Sequence, residues 1–335
     1  MVKVLKSNWL PIILLLIVAI VILSELTNKP PQKPMPVGME IKDSSWTGPS
    51  LYTDQSLEGT DREIVIYGQE LIAHTSNYLG PKGSVAQISN GMNCQNCHLD
   101  AGTRPWGNNY GAVYSTYPKF RGRSGSIEGI YKRINDCFER SLNGKGLDTT
   151  SPEMKAMYAY MVWVGNDVQK GKKPVGSGLE KLPFLNRAAS SEKGQIVYSN
   201  KCETCHGPSG EGQLAADGKS YTYPPLWGEH SFNDGAGLYR LSSFAAFAIN
   251  NMPYGQATHS SKMLTVEEAW DVAAFVNSQS RPHADQSKDY PDISKKPFDS
   301  PVGPYADPFN ALQHKYGPFG PIDEYGKKSI KAKLN

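Results

Sequence analysis

Net charge, cysteine and long apolar runs are all scarce in this sequence. The formal net charge is +3 over 335 residues. No excess of either sign marks a nucleic-acid partner. Only one stretch is long and apolar. From Ser7 to Ser24 there is no charged side chain, and Trp9 to Leu23 is almost wholly aliphatic. About 18 helical residues reach about 27 Å, close to the depth of a bilayer core. Lys3 and Lys6 precede the run and Glu25 follows it, so its N-terminal side is expected in the cytoplasm. No small-x-small cleavage site follows Leu23, which favours a retained anchor over a signal peptide that would leave a soluble periplasmic protein.

Cysteine is equally sparse. The chain has five, and four of them fall in two CxxCH motifs, Cys94–His98 and Cys202–His206. A single CxxC has zinc and redox readings as well. Two CxxCH copies in matching surroundings point to covalently attached haem c. Two cysteines three apart reach both vinyl groups, and the adjacent histidine meets the iron from the same side. His98 and His206 are thus the expected proximal ligands, and Cys94, Cys97, Cys202 and Cys205 the attachment points. Such attachment places the body of the chain outside the cytoplasm. Apolar residues make up 39% of the chain, and two haems would add core that the composition does not show.

The surroundings of the two motifs repeat. In the second unit a helix is expected over residues 191–200, with Gly194 and Tyr198 one turn apart just before Cys202, a pair suited to close helix–helix contact. Thr265 and Glu268 form a capping box at the start of a helix running to about Ser278, with Ala269, Val272, Ala273 and Val276 on one face. In the first unit a helix is expected over residues 61–78, carrying Tyr67 and Gly68. Ser151-Pro152 opens its closing helix, with serine at the cap and proline at the first turn. The reading is mainly α: two tandem class I cytochrome c-like domains, 61–165 and 191–281, joined by a linker over 166–190. A Pro-rich spacer over 25–60 connects them to a transmembrane anchor over 1–24. An irregular extension over 282–335 is expected to pack over the domains.

The two halves also align in their distal slots. Cys137 precedes the cap Ser151, and Met252 precedes the cap Thr265, by nearly the same interval. Met252-Pro253 before the closing helix suits the second distal ligand, and a thioether there raises the potential for outer-sphere electron transfer. The alternative is a core methionine. Met263 competes weakly because it sits too near the helix start. For the first haem the choice is open among Cys137, Met154, Met157 and Met161. Core or surface roles suit the methionines, and a buried inert thiol is the plain reading of Cys137. Arg121, Arg123, Arg133 and Arg140 crowd Cys137 in sequence. Guanidinium groups lower a thiol's pKa and hold oxyanions in paired hydrogen bonds. A solvated basic helix or arginines on haem propionates would serve equally. If the stretch is helical, Arg133 and Ser141 share the face of Cys137. His74, His230, His259, His283 and His314 read as surface or packing residues.

The runs Arg121–Gly125 (RGRSG), Arg133–Lys145 (RINDCFERSLNGK) and Asn93–Thr103 (NCQNCHLDAGT) resemble the tetrathionate-forming thiosulfate dehydrogenase family, as do Tyr223–Trp227 (YPPLW), Gly303–Asp307 and His314–Pro318. The resemblance covers about residues 60–325, and the Cys137 segment is its most specific part. A haem subunit that opens periplasmic sulfur oxidation is similar at greater distance. The resemblance implies a dihaem cytochrome that interconverts thiosulfate and tetrathionate by two electrons. It implies ligation of the first haem by His98 and Cys137, with catalytic roles for Arg123, Arg133 and Ser141. Arg121 is a less secure addition. It further implies a second haem on His206 and Met252 that passes electrons to an external carrier, a small c-type cytochrome or a quinone-linked membrane partner. Some relatives have lysine before that methionine, able to exchange with it as ligand. Here Asn251 stands there. The rival reading is a non-catalytic dihaem electron carrier at the membrane, indifferent to Cys137. A peroxidase-like reading lacks support around His74.

Overall fold

Glycine decides how the two halves of the molecule are built. The computed structural model describes residues 46–334, so the anchor expected over 1–24 and most of the spacer lie outside the described residues. In the first half, helix α1 (Gly59–Ala73) crosses helix α3 (Pro152–Val164). A Cβ on Gly68 would run into the Ala156 carbonyl and lie 2.7 Å from Tyr160 Cβ. In the second half, helix α4 (Ser191–Lys201) crosses helix α6 (Val266–Ser278). Here a Cβ on Gly194 would strike the Asp271 carbonyl and lie 2.8 Å from Phe275 Cβ. The same device, bare backbone against bare backbone, closes each half.

The caps are formed as the sequence dictates. Thr265 Oγ1 accepts from Glu268 N at 3.1 Å, and Glu268 Oε2 accepts from Thr265 N at 2.9 Å. Ser151 Oγ accepts from Met154 N at 3.2 Å, with Pro152 in the first turn. Between the outer helices each half places a distal helix, α2 (Ile130–Arg140) and α5 (Leu241–Asn251). Two small antiparallel hairpins lie among the described residues. They pair β1 (Lys119–Arg121) with β2 (Ser126–Glu128), and β3 (Gln213–Leu214) with β4 (Tyr221–Tyr223).

Three expectations need correction. The first helix does not run unbroken to residue 78. It stops at His74, and a short helix, Thr75–Leu79, continues in a new direction. The break turns polar groups toward the first haem motif: Thr75 Oγ1 accepts from Cys94 N at 3.0 Å, and Asn93 Oδ1 accepts from Ser76 N at 2.8 Å. Residues from Trp46 onward are not free spacer, because Trp46 and Leu51 are buried and Trp163 Nε1 donates to Asp54 Oδ2 at 2.6 Å. Nor is the extension wholly irregular. It holds helices α7 (Ala311–Tyr316) and α8 (Gly320–Leu334). Phe319 packs on Trp270 of α6 and on Phe298, and His314 is buried, stacked on Tyr305 and bonded to Asp307. Among the described residues no helix is long and apolar enough to cross a membrane.

Candidate functional site

Each CxxCH histidine is held by a backbone carbonyl. His98 Nδ1 donates to Asn108 O at 2.5 Å, and His206 Nδ1 donates to Pro224 O at 2.8 Å. Fixing the proton on Nδ1 leaves the Nε2 lone pair for a metal. Burial favours the neutral ring in both, and it takes His98 down to about 4. Neutral imidazole beside a cysteine pair and an apolar cavity is the donor set that haem c requires, and both halves supply it. The linker takes part in the first. Asn108, whose carbonyl receives His98, has a positive φ of 58° and donates its own N–H to Gly178 O at 3.1 Å. Asn109 Nδ2 donates to Gly176 O at 2.7 Å.

The second cavity is lined by Cys202, Cys205, His206 and Met252, with Phe244 and Val272 behind them. Met252 directly follows α5, and its N–H closes the last turn onto Ala248 O at 2.8 Å. Met263 is 45% exposed, outside the cavity lining. Met92, Asn96 and Cys97 of the first half also line this cavity, so the first attachment turn is part of the wall of the second site. Asn251, directly before Met252, is buried and donates to Trp106 O of the first half at 3.1 Å and to Phe247 O at 2.9 Å. A Met252→Gly variant removes the thioether. The second haem's potential is expected to fall by on the order of 100 mV or more, measured by spectroelectrochemical titration, while haem attachment is retained.

The first cavity, ≈ 210 Å³, is more polar. Cys94, His98 and Cys137 line it together, and so do Arg121 and Arg133. Cys137 sits in the last turn of α2, one turn beyond Arg133. Arg133 packs beside it, half-buried, and is more firmly protonated than a free guanidinium, chiefly through negative charge on the Cys137 sulfur. Of the rival methionines, Met154 is core, whereas Met157 and Met161 line the same cavity.

Two expected site residues are placed elsewhere. Arg123 lies past the Gly122 turn and faces the extension. Its Nη1 donates to Gly235 O at 2.8 Å and to Asp289 Oδ2 at 3.0 Å, and Arg140 grips the same carboxylate with both terminal nitrogens, at 2.8 and 3.0 Å. Ser141 caps α2, its N–H bonded to Cys137 O at 2.8 Å, and does not line the cavity. Arg121 does line it. So does Lys119, which the sequence reading missed. Strand alternation was the available signal: Lys119 and Arg121 share one face of β1, and Phe120 points the other way, 55% exposed.

Two helical domains, each closed by a bare helix crossing over a CxxCH motif with a carbonyl-held histidine, define a c-type cytochrome carrying two covalent haems. The comparisons specify which. Residues 84–169 match the SoxA/TsdA cytochrome c domain model, and residues 191–280 match the cytochrome c model. The chain is 40% identical over 205 residues to a thiosulfate dehydrogenase of Psychrobacter arcticus, covering 61% of each protein. It is 36% identical over 229 residues to that of Allochromatium vinosum, covering 67% of this chain and 81% of the relative. A solved thiosulfate dehydrogenase (TsdBA) from Marichromatium purpuratum, in its "as isolated" form, superposes with a TM-score of 0.66 at 32% identity, over 72% of this chain and 50% of that one. The chain belongs to the thiosulfate dehydrogenase family. The match spans 61% of the Psychrobacter protein's length and half of the Marichromatium chain.

Proposed function

We propose that the protein interconverts thiosulfate and tetrathionate at the first site, and that the second site passes the electrons to an external carrier. The observation that supports this most is the common cavity of His98, Cys137, Arg121 and Arg133. A plain electron carrier has no need of a cysteine flanked by half-buried cations. A haem held at His98 would supply a one-electron acceptor beside Cys137, and one held at His206 would supply a relay for the electrons.

The residues supply the rest. Joining two thiosulfates brings four negative charges together, and guanidinium groups in a partly dry site make that feasible. Arg133 and Arg121 hold the incoming dianion beside Cys137. The Cys137 thiolate forms a bond to the sulfane sulfur, with loss of two electrons, and gives an S-thiosulfonate on the protein. A second thiosulfate attacks this sulfur–sulfur bond, tetrathionate leaves, and the thiolate returns, following the logic of thiol–disulfide exchange. Run backwards, the same steps reduce tetrathionate. His98 and Cys137, in place of Met157 or Met161, would hold the first haem in this reading. His206 and Met252 serve the second. The apolar run over 7–24 holds the domains at the membrane on the extracytoplasmic side, within reach of a small c-type cytochrome or a quinone-linked partner.

The test is an assay of the purified holoprotein in both directions, thiosulfate with an artificial acceptor and tetrathionate with reduced viologen. Turnover in at least one is expected. Silence in both returns the protein to the electron-carrier reading.

A further inference from the structure

We propose that Lys119 is a substrate-binding residue, the third cation of a cradle, with Arg121 and Arg133, that holds the sulfonate end of a sulfur oxyanion beside Cys137. The proposal rests on the activity proposed above and adds a residue to its site.

Geometry carries it. The β1–β2 hairpin turns Lys119 and Arg121 to one face, into the cavity that Arg133 and Cys137 enter from α2. Opposite Lys119 in register stands Glu128, buried at 4% exposure. Its Oε2 has no hydrogen-bond partner and lies 3.9 Å from Arg121 Nε, and its charge acts on Lys119 as well without an ion pair forming. Among the described residues no carboxylate lies within ion-pairing reach of Lys119. Its Nζ sits 4.4 Å over the Tyr117 ring and only 3.5 Å from Thr116 Oγ1. An ammonium has three donors, and here they lack a strong acceptor. Burial first, then repulsion from Arg121, Lys173 and Arg133, brings Lys119 down to about 8. Against the three cations stand Glu128, which acts on all of them, and, when ionised, the Cys137 sulfur; Asp136, which also acts on Arg133, is paired with Lys132. The site therefore keeps an excess of positive charge where a dianion must approach. A lysine contributes a point charge and leaves the planar recognition of oxyanion edges to the arginines.

The test uses full-length holoprotein. In Lys119→Gln the KM for thiosulfate is expected to rise about 10-fold with kcat changed less than about 3-fold, the pattern of lost substrate binding, and Lys119→Arg should recover most of it. Binding is read apart from chemistry by calorimetric titration of tetrathionate into Cys137→Gly and into Cys137→Gly/Lys119→Gln, where no covalent step is possible. A fall in affinity of about 10-fold is expected in the double variant. Equal affinities overturn the proposal, as does a Lys119→Gln variant whose only change is in the potential or Soret spectrum of the first haem, which would make Lys119 a propionate partner. If Lys119→Gln fails to accumulate, Lys119→Met, which keeps the apolar stem, takes its place in both arms. A wild-type protein silent in both directions sinks the activity itself. An active wild type with unaltered Lys119 variants sinks only this inference.

Discussion

A Cys137→Gly variant is expected to carry both haems and to turn over neither thiosulfate nor tetrathionate. Attachment depends on Cys94, Cys97, Cys202 and Cys205, none of which the substitution touches. In the proposed mechanism turnover depends on the Cys137 sulfur in the first cavity, and glycine supplies none. Loss of a covalent nucleophile is a loss of at least about 10³-fold, the scale seen when such a group is removed from other enzymes. The haem content per chain and the covalent mass check the first half of the expectation, and the two-direction assay checks the second. A further signature separates this from a folding defect. The second haem should keep its spectrum and potential, while the first loses a thiolate-ligated spectrum. Retained turnover would show that the Arg133–Cys137 arrangement is structural, and the electron-carrier reading would then gain.

The second large effect is on stability. Gly194→Ala is expected to destabilise the second domain by about 3 kcal/mol, at the upper end of overpacking costs. Helix propensity favours alanine over glycine by about 1 kcal/mol, so an unhindered site would change in the opposite direction. Gly326 is such a site, within α8 and with nothing inside 4 Å of a built Cβ. Gly326→Ala is therefore the control, neutral or slightly stabilising. The difference in sign, read by thermal unfolding of the two holoproteins, tests whether the α4–α6 crossing is set by backbone contact. Equal melting temperatures would mean that the crossing gives way at little cost. Because Gly68 makes the same approach in the first half, its substitution should behave alike, with loss of the first domain.

Much of this was readable because the signals were local. Caps lie within four residues of each other, and the CxxCH motif carries its own chemistry. Gly194 and Tyr198 announce a close crossing before any partner is known. Even Cys137 was placed by counting from a cap. What escaped depends on residues that meet only in space. Lys119 lies in a strand of three residues, too short for a period to emerge. Arg123 finds Asp289 166 residues away, and no local pattern forecasts a carboxylate of the extension between two arginines of the first domain. The same distance explains why Arg123 leaves the expected site while Arg121 stays in it. Side-chain direction after the Gly122 turn is set by what the extension offers.

The Asn108 backbone has a consequence for how this gene can change. Its carbonyl steadies His98, and its N–H is held by the segment around Gly178. By composition that segment is ordinary connecting chain, the kind of stretch where insertions are usually harmless. Here a residue gained or lost near Gly176–Gly178 would be felt at the proximal imidazole before it was felt in the spacing of the domains. Length variation among descendants should accordingly collect elsewhere, and engineers who fuse or split the two halves should cut on the far side of Gly178.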